Sequence, residues 1–177
     1  LDEDGLTPSN YDLISLKKSI SIPVRVMVRP HSNSFNYNDD DLIQMMETIK
    51  FCKNQKFDGV VFGCLDDDNE LDLNKIKYLA DFAKPLNVII HKAIDLTSSP
   101  VNSLVKLIEI DNVNGVLSSG GFETAELGVE VLKKMISISP NGFEIISAGK
   151  ITNQNFKILH EKIEGKFYHG RKIVGEL

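Results

Sequence analysis

The sequence predicts an α/β protein of the (β/α)8 TIM-barrel type that carries six of the eight strands. Short apolar runs rich in β-branched residues alternate with longer segments of helical period, which is typical of βα units around a parallel sheet. The mid-points of neighbouring runs are 22 to 35 residues apart, close to the roughly 30 residues of a βαβ unit. Regular spacing without a GxGxxG motif favours a closed barrel over a doubly wound dinucleotide-binding sheet, although two strands are lacking for closure.

The predicted strands are six short runs in which valine, isoleucine and leucine dominate, as buried parallel strands require. They cover residues 24–28, 59–63, 88–91, 115–118, 144–148 and 166–169.

The predicted helices between these runs have their own start signals. The first covers residues 12–18, and the fifth begins near Glu123. The others begin at residues whose side chains cap helices well, followed by apolar positions at helical spacing. These capping residues are Asn38, Asp72, Ser99 before Pro100, and Thr152. Cys52 falls on the apolar face of the helix after Asn38, which predicts that it packs in the core.

Composition predicts one globular domain over residues 1–177 and narrows the range of partners. The chain has 20 Lys and Arg against 25 Asp and Glu, a net charge of −5. Scattered cations in an acidic chain argue against nucleic-acid or membrane partners. No apolar stretch reaches the roughly 18 residues of a membrane span. The two cysteines form no CxxC motif, which predicts a reduced, cytoplasmic location. A homo-oligomer is left open.

The residues that leave each strand are the candidate site, because α/β proteins bind ligands beyond the carboxyl ends of their strands. Arg29 follows the first strand, where its guanidinium would either clamp an anion or form an internal ion pair. His91 ends the third strand, and Asp95 follows four residues later. Asp95 would either hold the imidazole tautomer for proton transfer or pair with Lys92. A lone histidine at this position is also often a satisfied core residue.

Two glycine-containing segments, each directly after a predicted strand, are candidates for anion binding. Ser119 and Gly120 precede the helix predicted near Glu123, where backbone amides at a helix start would hold an anion. Gly149 and Lys150 follow the fifth strand, and barrel enzymes often bind phosphate with the loops after their last strands. The alternative for both segments is that their glycines only form turns in ordinary loops.

A soft metal ion is a further candidate ligand. Thiolate and imidazole ligands suit Cu(I), and Cys64, His91 and His169 all lie at predicted strand exits. Free cysteines are nevertheless usually small core residues. The acidic run from Asp66 to Asp72 lacks the glycine and glutamate of an EF-hand loop, so it predicts a solvated loop instead.

The order of motifs resembles the CutC family of copper homeostasis proteins. The segments that carry the resemblance are GLTPS at residues 5–9, IPV at 22–24 leading to Arg29-Pro30, FNY at 35–37, GVVFG at 59–63, HKAID at 91–95 and LSSG at 117–120. The resemblance implies a TIM barrel in the cytoplasm, with a polar site at its carboxyl end and a copper-handling role. Family members usually begin with two strands before the GLTPS-like segment, so these six strands would be strands three to eight.

The resemblance also implies which positions form the site. Arg29, His91, Asp95, Ser119, Gly120 and Gly149 match the family pattern, whereas His31 and Lys92 stand where the family has arginine. The resemblance further implies that the natural Cu(I) ligands of the family are cysteines on its first two strands, which are not part of these 177 residues.

Two functional hypotheses result, beside a purely structural interpretation in which Arg29, His91 and Asp95 are buried in mutual ion pairs. The first is a CutC-like protein of copper homeostasis that binds Cu(I) through thiols and histidines at the barrel mouth, with no other cofactor. The second is a barrel enzyme for a small anionic or phosphorylated metabolite. There Arg29 and the Ser119–Gly120 turn would hold the anion, and His91, oriented by Asp95, would move a proton. Whether the protein is an enzyme stays open.

Overall fold

The computed structural model describes residues 5–175, which form one six-stranded parallel sheet in chain order. The strands are β1 (Arg25–Met27), β2 (Gly59–Phe62), β3 (Asn87–Ile90), β4 (Val113–Ser118), β5 (Glu144–Ser147) and β6 (Phe167–Tyr168). All six predicted strands are present, and their bounds agree with the prediction to within two residues.

The helices follow the strands as the alternating pattern predicts. They are α1 (Asn10–Ser19), α2 (Asp39–Asn54), α3 (Leu73–Ala83), α4 (Pro100–Ile108), α5 (Val129–Ile138) and α6 (Phe156–Ile163), with a 3-10 helix at Lys92–Leu96. The side chains of Asn38, Asp72 and Ser99 accept hydrogen bonds from the first turns of α2, α3 and α4, which confirms these predicted caps. The cap predicted at Thr152 is wrong, because α6 begins after Asn155. No helix within the described range is long and apolar enough to cross a lipid bilayer.

The fifth helix does not begin near Glu123 as predicted but six residues later, at Val129. Gly120 and Gly121 both have positive φ, +75° and +81°, so the backbone leaves β4 in a left-handed turn that cannot start an α-helix. The loop then folds back, and a Cβ on Gly128 would collide with the carbonyl group of Ser119. The segment before α5 is therefore a compact turn packed on the exit of β4.

The sheet is strongly curled. Arg25 on β1 and Glu144 on β5 form a paired ion bridge, with nitrogen–oxygen distances of 2.8 and 2.5 Å. In a flat sheet these strands would be about 19 Å apart, four strand spacings, which is too far for two side chains to span. The described residues therefore build a half-barrel with a concave inner face rather than a closed eight-stranded barrel.

The main apolar core lies between the convex face of the sheet and the helices. Val26, Phe62 and Ile90 from alternate strand positions pack there with helix residues such as Ile49. Cys52 is fully buried in this core, as its helical position predicts. This packing leaves the carboxyl ends of the strands to form the candidate site.

Candidate functional site

A cavity of about 860 Å³ opens beyond the carboxyl ends of β4, β5 and β6. Its polar lining is cationic, and no aspartate or glutamate belongs to the described residues that line it. The charged and imidazole side chains are Lys92, Lys150, His169, Arg171 and Lys172, and Gly149 and Gly170 bring backbone close to the opening. Gly149, Lys150 and His169 are thus predicted site residues that the fold brings together.

The carboxylate of Asp95 organises the neighbouring exit of β4. It accepts hydrogen bonds from the hydroxyl group of Ser118 at 2.5 Å, the amide of Ser119 at 2.9 Å and the amide of Gly121 at 2.9 Å. The ammonium group of Lys92 lies 2.6 Å from the same carboxylate, whose side chain is only 6% exposed. The alternative in which Asp95 pairs with Lys92 is therefore the one that the structure contains.

This hydrogen-bond network occupies the backbone amides of the Ser119–Gly120 turn that the sequence predicts as an anion site. The amide of Gly120 donates to the hydroxyl group of Ser118, and the two neighbouring amides donate to Asp95. The turn is therefore a cradle for an anion, as its sequence suggests, but the anion that it holds is a carboxylate of the same chain.

His91 is buried, and neither of its ring nitrogens forms a hydrogen bond with Asp95. Its Nδ1 atom accepts a hydrogen bond from the amide of Ala93 at 3.2 Å, and its ring packs 4.5 Å from the ring of Phe35. Burial, and then the charge of Arg29, lower the pKa of His91 from 6.5 to about 3. Since Nδ1 is an acceptor in a neutral ring, the proton is on Nε2, which is buried without a partner. The predicted orientation of His91 by Asp95 is therefore wrong.

Arg29 follows β1 and is not among the residues that line the cationic cavity. Its guanidinium stacks 4.7 Å above the ring of Phe35 and donates to the carbonyl group of Ser32 at 3.2 Å. Its backbone is fixed by hydrogen bonds with Thr7. Arg29 and His91 thus share Phe35 as a neighbour, separate from the residues that line the cavity.

The predicted copper ligands Cys64, His91 and His169 do not form one three-ligand site among the residues that the structure describes. Cys64 is fully buried in the apolar core, where burial raises the pKa of its thiol to about 12. The imidazole of His91 lies instead against Gly63, where the Cβ of any larger residue would come within 2.8 Å of Nδ1. His169 lines the cationic cavity. Within residues 5–175 no three histidine, cysteine or acidic side chains form a group that could hold a metal ion.

Sequence reasoning missed three cations of the cavity. The sequence indicates Lys92 only as a partner for Asp95, and Arg171 and Lys172 are not among the predicted site residues. Residues 170–175 instead form turns that return to Thr152, which pairs with Lys172. Their position directly after a strand end was the available signal.

Fold and site together define a curled parallel α/β protein with a cationic cavity beyond the carboxyl ends of its strands. The sequence profile of the CutC family matches residues 1–174. The chain belongs to the CutC family.

Individual relatives agree with this assignment. A protein named as a CutC family protein from Yersinia pseudotuberculosis is 35% identical over 154 residues, which are 85% of this chain and 60% of the relative. The human protein named copper homeostasis protein cutC homolog is 32% identical over 169 residues, 96% of this chain and 62% of its own length. The chain thus spans about 60% of the length of these curated relatives.

A solved structure has the same fold. The crystal structure of a putative copper homeostasis protein CutC from Streptococcus agalactiae superposes with a TM-score of 0.86 at 26% identity. The match covers 95% of this chain and 83% of that one.

Proposed function

We propose that this CutC-family chain binds a small anionic metabolite, with a phosphate group as the anion, in the cavity at the ends of β4, β5 and β6. The observation that carries the proposal is the lining, which combines Lys150, Arg171 and Lys172 without an acidic side chain among the described residues. A cavity with one sign of charge concentrates ligands of the opposite sign. A volume of about 860 Å³ is also that of a small-molecule site.

The position of the cavity supports phosphate in particular. Parallel α/β proteins bind ligands beyond the carboxyl ends of their strands, and barrel enzymes often bind phosphate with the loops after their last strands. Lys150 follows β5, and Arg171 and Lys172 follow β6. A guanidinium beside ammonium groups offers the paired and single hydrogen bonds that phosphate oxygens accept.

Glu123 is an internal competitor for this anion. Its carboxylate forms an exposed ion pair with the ammonium group of Lys150 at the edge of the cavity. The loop that carries Glu123 is held there by a hydrogen bond from the amide of Ala125 to the carbonyl group of Gly149. A bound phosphate must therefore share or replace the contact between Lys150 and Glu123.

Inorganic phosphate is expected to bind the 177-residue chain, and charge changes at the cavity should shift its affinity in opposite directions. Replacing Lys150 or Lys172 with methionine should weaken binding by about tenfold, the loss of one charge-assisted hydrogen bond. Glu123→Gln should tighten binding by removing the competing carboxylate. Isothermal titration calorimetry at fixed, low ionic strength measures each dissociation constant.

Two exposed ion pairs provide the matched controls. Lys84 pairs with Asp81 and Asp111, and Glu126 pairs with Lys162, and none of these residues lines the cavity. Lys84→Met and Glu126→Gln should leave phosphate affinity unchanged. Equal weakening by Lys84→Met would mean that phosphate responds only to net charge, and no phosphate binding by the unaltered chain would refute the proposal.

Copper handling is the second candidate, and the name of the human relative favours it. The described residues do not form a ready Cu(I) site, because Cys64 is a buried neutral thiol and His91 uses the lone pair of Nδ1 for the amide of Ala93. Copper is a cargo ion in this hypothesis.

Direct copper binding predicts stoichiometric Cu(I) uptake by the chain in an anaerobic competition against a calibrated chelator. Uptake should weaken in Cys64→Ala, His91→Gln or His169→Gln if copper binds at the strand ends. Uptake that all three variants retain would place copper elsewhere, and no competition with the chelator would exclude direct binding by this chain.

A further inference from the structure

We infer that the exits of β1 and β3 enclose a second binding site, in which a small monovalent anion such as chloride accepts hydrogen bonds from Tyr37 and His91. These two residues do not line the cavity proposed for phosphate. The site is therefore independent of the proposed function.

Polar atoms without a hydrogen-bond partner collect at this place. Within residues 5–175 they include Nδ1 of His31, the hydroxyl group of Tyr37 and Nε2 of His91. The rings of His31 and Tyr37 lie 5.2 Å apart, and Phe35, from the same loop, lies 4.5 Å from the ring of His91. Buried polar groups in folded proteins nearly always have a partner, which is either protein or a bound molecule. The loop after β1 and the end of β3 therefore have the character of a binding site.

Tyr37 and His91 can both donate a hydrogen bond. Nδ1 of His91 accepts from the amide of Ala93, so the hydrogen of the neutral ring is on Nε2. The hydroxyl group of Tyr37 has a hydrogen of its own. Tyr37 is 1% exposed and His91 3%, so bulk water does not accept these bonds. Two buried donors require an acceptor, which an anion supplies and a metal cation does not.

The guanidinium group of Arg29 gives this place a positive potential. It stacks 4.7 Å above the ring of Phe35, which also contacts the ring of His91. Burial is the main cause of the raised pKa of Tyr37 and of the lowered pKa of His91, and the charge of Arg29 acts on both. Arg29 has interactions of its own, and its contribution to the site is this charge. A positive potential at both donors favours an anion over a water molecule as their acceptor.

The carboxylate of Asp41 limits the anion to a single charge. It lies 3.3 Å from Nε2 of His31 and accepts a hydrogen bond from the amide of Asn38 at the start of α2. Its charge also acts on Tyr37 and would repel a doubly charged ion more strongly than a singly charged one. The burial of Tyr37 and His91 restricts the size of the ion as well. A halide meets both conditions, whereas a phosphate does not.

A crystal structure of the 177-residue chain grown with sodium bromide tests the location. Bromide is a halide that scatters anomalously, so an anomalous difference peak is expected beside the hydroxyl group of Tyr37 and Nε2 of His91. A water molecule at this position without an anomalous peak would overturn the inference. Bromide found as an adventitious ion only, on the surface, would overturn it too.

Urea unfolding at pH 7 tests the same site in solution. Sodium chloride is titrated at constant ionic strength against sodium gluconate, whose anion is too large for a buried site. The unfolding midpoint should rise with chloride and saturate, because a ligand that binds only the native state stabilises it. Tyr37→Phe keeps the ring and removes the donor, so it should weaken chloride binding by about tenfold, the loss of one charge-assisted hydrogen bond.

Tyr78→Phe is the matched control, since it removes an exposed tyrosine hydroxyl group on α3. This variant should keep the full response to chloride, and general effects of the two salts are common to all three chains. A midpoint of the unaltered chain that does not respond to chloride would overturn the inference. A response that Tyr37→Phe retains in full would also overturn it. Neither result changes the expectation for phosphate, which is tested with variants at the other cavity.

Discussion

Replacing Asp95 with alanine is expected to lower the free energy of unfolding by about 2–4 kcal/mol, because two buried hydrogen-bond donors lose their acceptor. The substitution leaves the hydroxyl group of Ser118 and the amide of Ser119, both on buried residues, without their acceptor, whereas the amide of the exposed Gly121 can donate to water instead. Lys92 also loses its counter-charge. Each unsatisfied buried donor costs about 1–3 kcal/mol before relaxation, so the two donors together account for this range.

Urea unfolding followed by circular dichroism measures this loss. The midpoint should fall while the dependence on urea concentration stays the same, because the fold and its buried surface are retained. Asp95→Asn keeps one carbonyl acceptor and should give an intermediate midpoint. Asp111→Ala is the matched control, since it removes an aspartate that also pairs with a lysine but is 84% exposed. An equal shift in both alanine variants would show that the network around Asp95 has no special stabilising role.

The strands and most helices could be predicted because their signals are local. Runs such as residues 59–63 are continuously apolar, as buried parallel strands are, and Asn38 carries the capping pattern completed by Asp41. The predicted start of the fifth helix is wrong, and the reason is local too. Glu123 has good helix propensity, but the two glycines before it adopt positive φ and direct the chain into a turn.

The sequence predicts where the candidate site lies, but it does not show which side chains and segments of the site lie beside one another. The rule that ligands bind at the carboxyl ends of strands draws attention to Gly149, Lys150 and His169, and in the structure these three residues line one cavity. It could not show that the half-barrel brings residues 170–175 back beside Thr152, because that depends on how the chain turns after β6.

The type of helix that carries Asp95 determines which side chain it meets. A spacing of four residues, His91 to Asp95, brings side chains together on an α-helix. The segment Lys92–Leu96 is instead a 3-10 helix, in which residues three apart are aligned. Asp95 consequently meets Lys92, and its carboxylate reaches β4 rather than the imidazole.

The burial of His91 leads to the second large expected effect, a loss of stability in mild acid. The imidazole in the unfolded chain takes up a proton near pH 6.5, whereas burial and the charge of Arg29 hold the pKa of the native His91 at about 3. Between these values the unfolded state carries one more proton than the native state, so the free energy of unfolding falls as the pH falls. The expected loss between pH 7 and pH 5 is about 2 kcal/mol.

The variant His91→Gln isolates this contribution. Glutamine retains an acceptor for the amide of Ala93 and does not titrate, so the variant should be less stable at pH 7 but lose about 2 kcal/mol less than the unaltered chain on going to pH 5. His160, which is exposed on α6, provides the control, and His160→Gln should keep the full pH dependence. Urea unfolding midpoints of the unaltered chain and both variants at the two pH values measure this difference in pH dependence. A parallel loss in His91→Gln would mean that the buried imidazole takes up its proton without opening the fold, and the neutral Nε2–H form would then no longer describe His91 in mild acid.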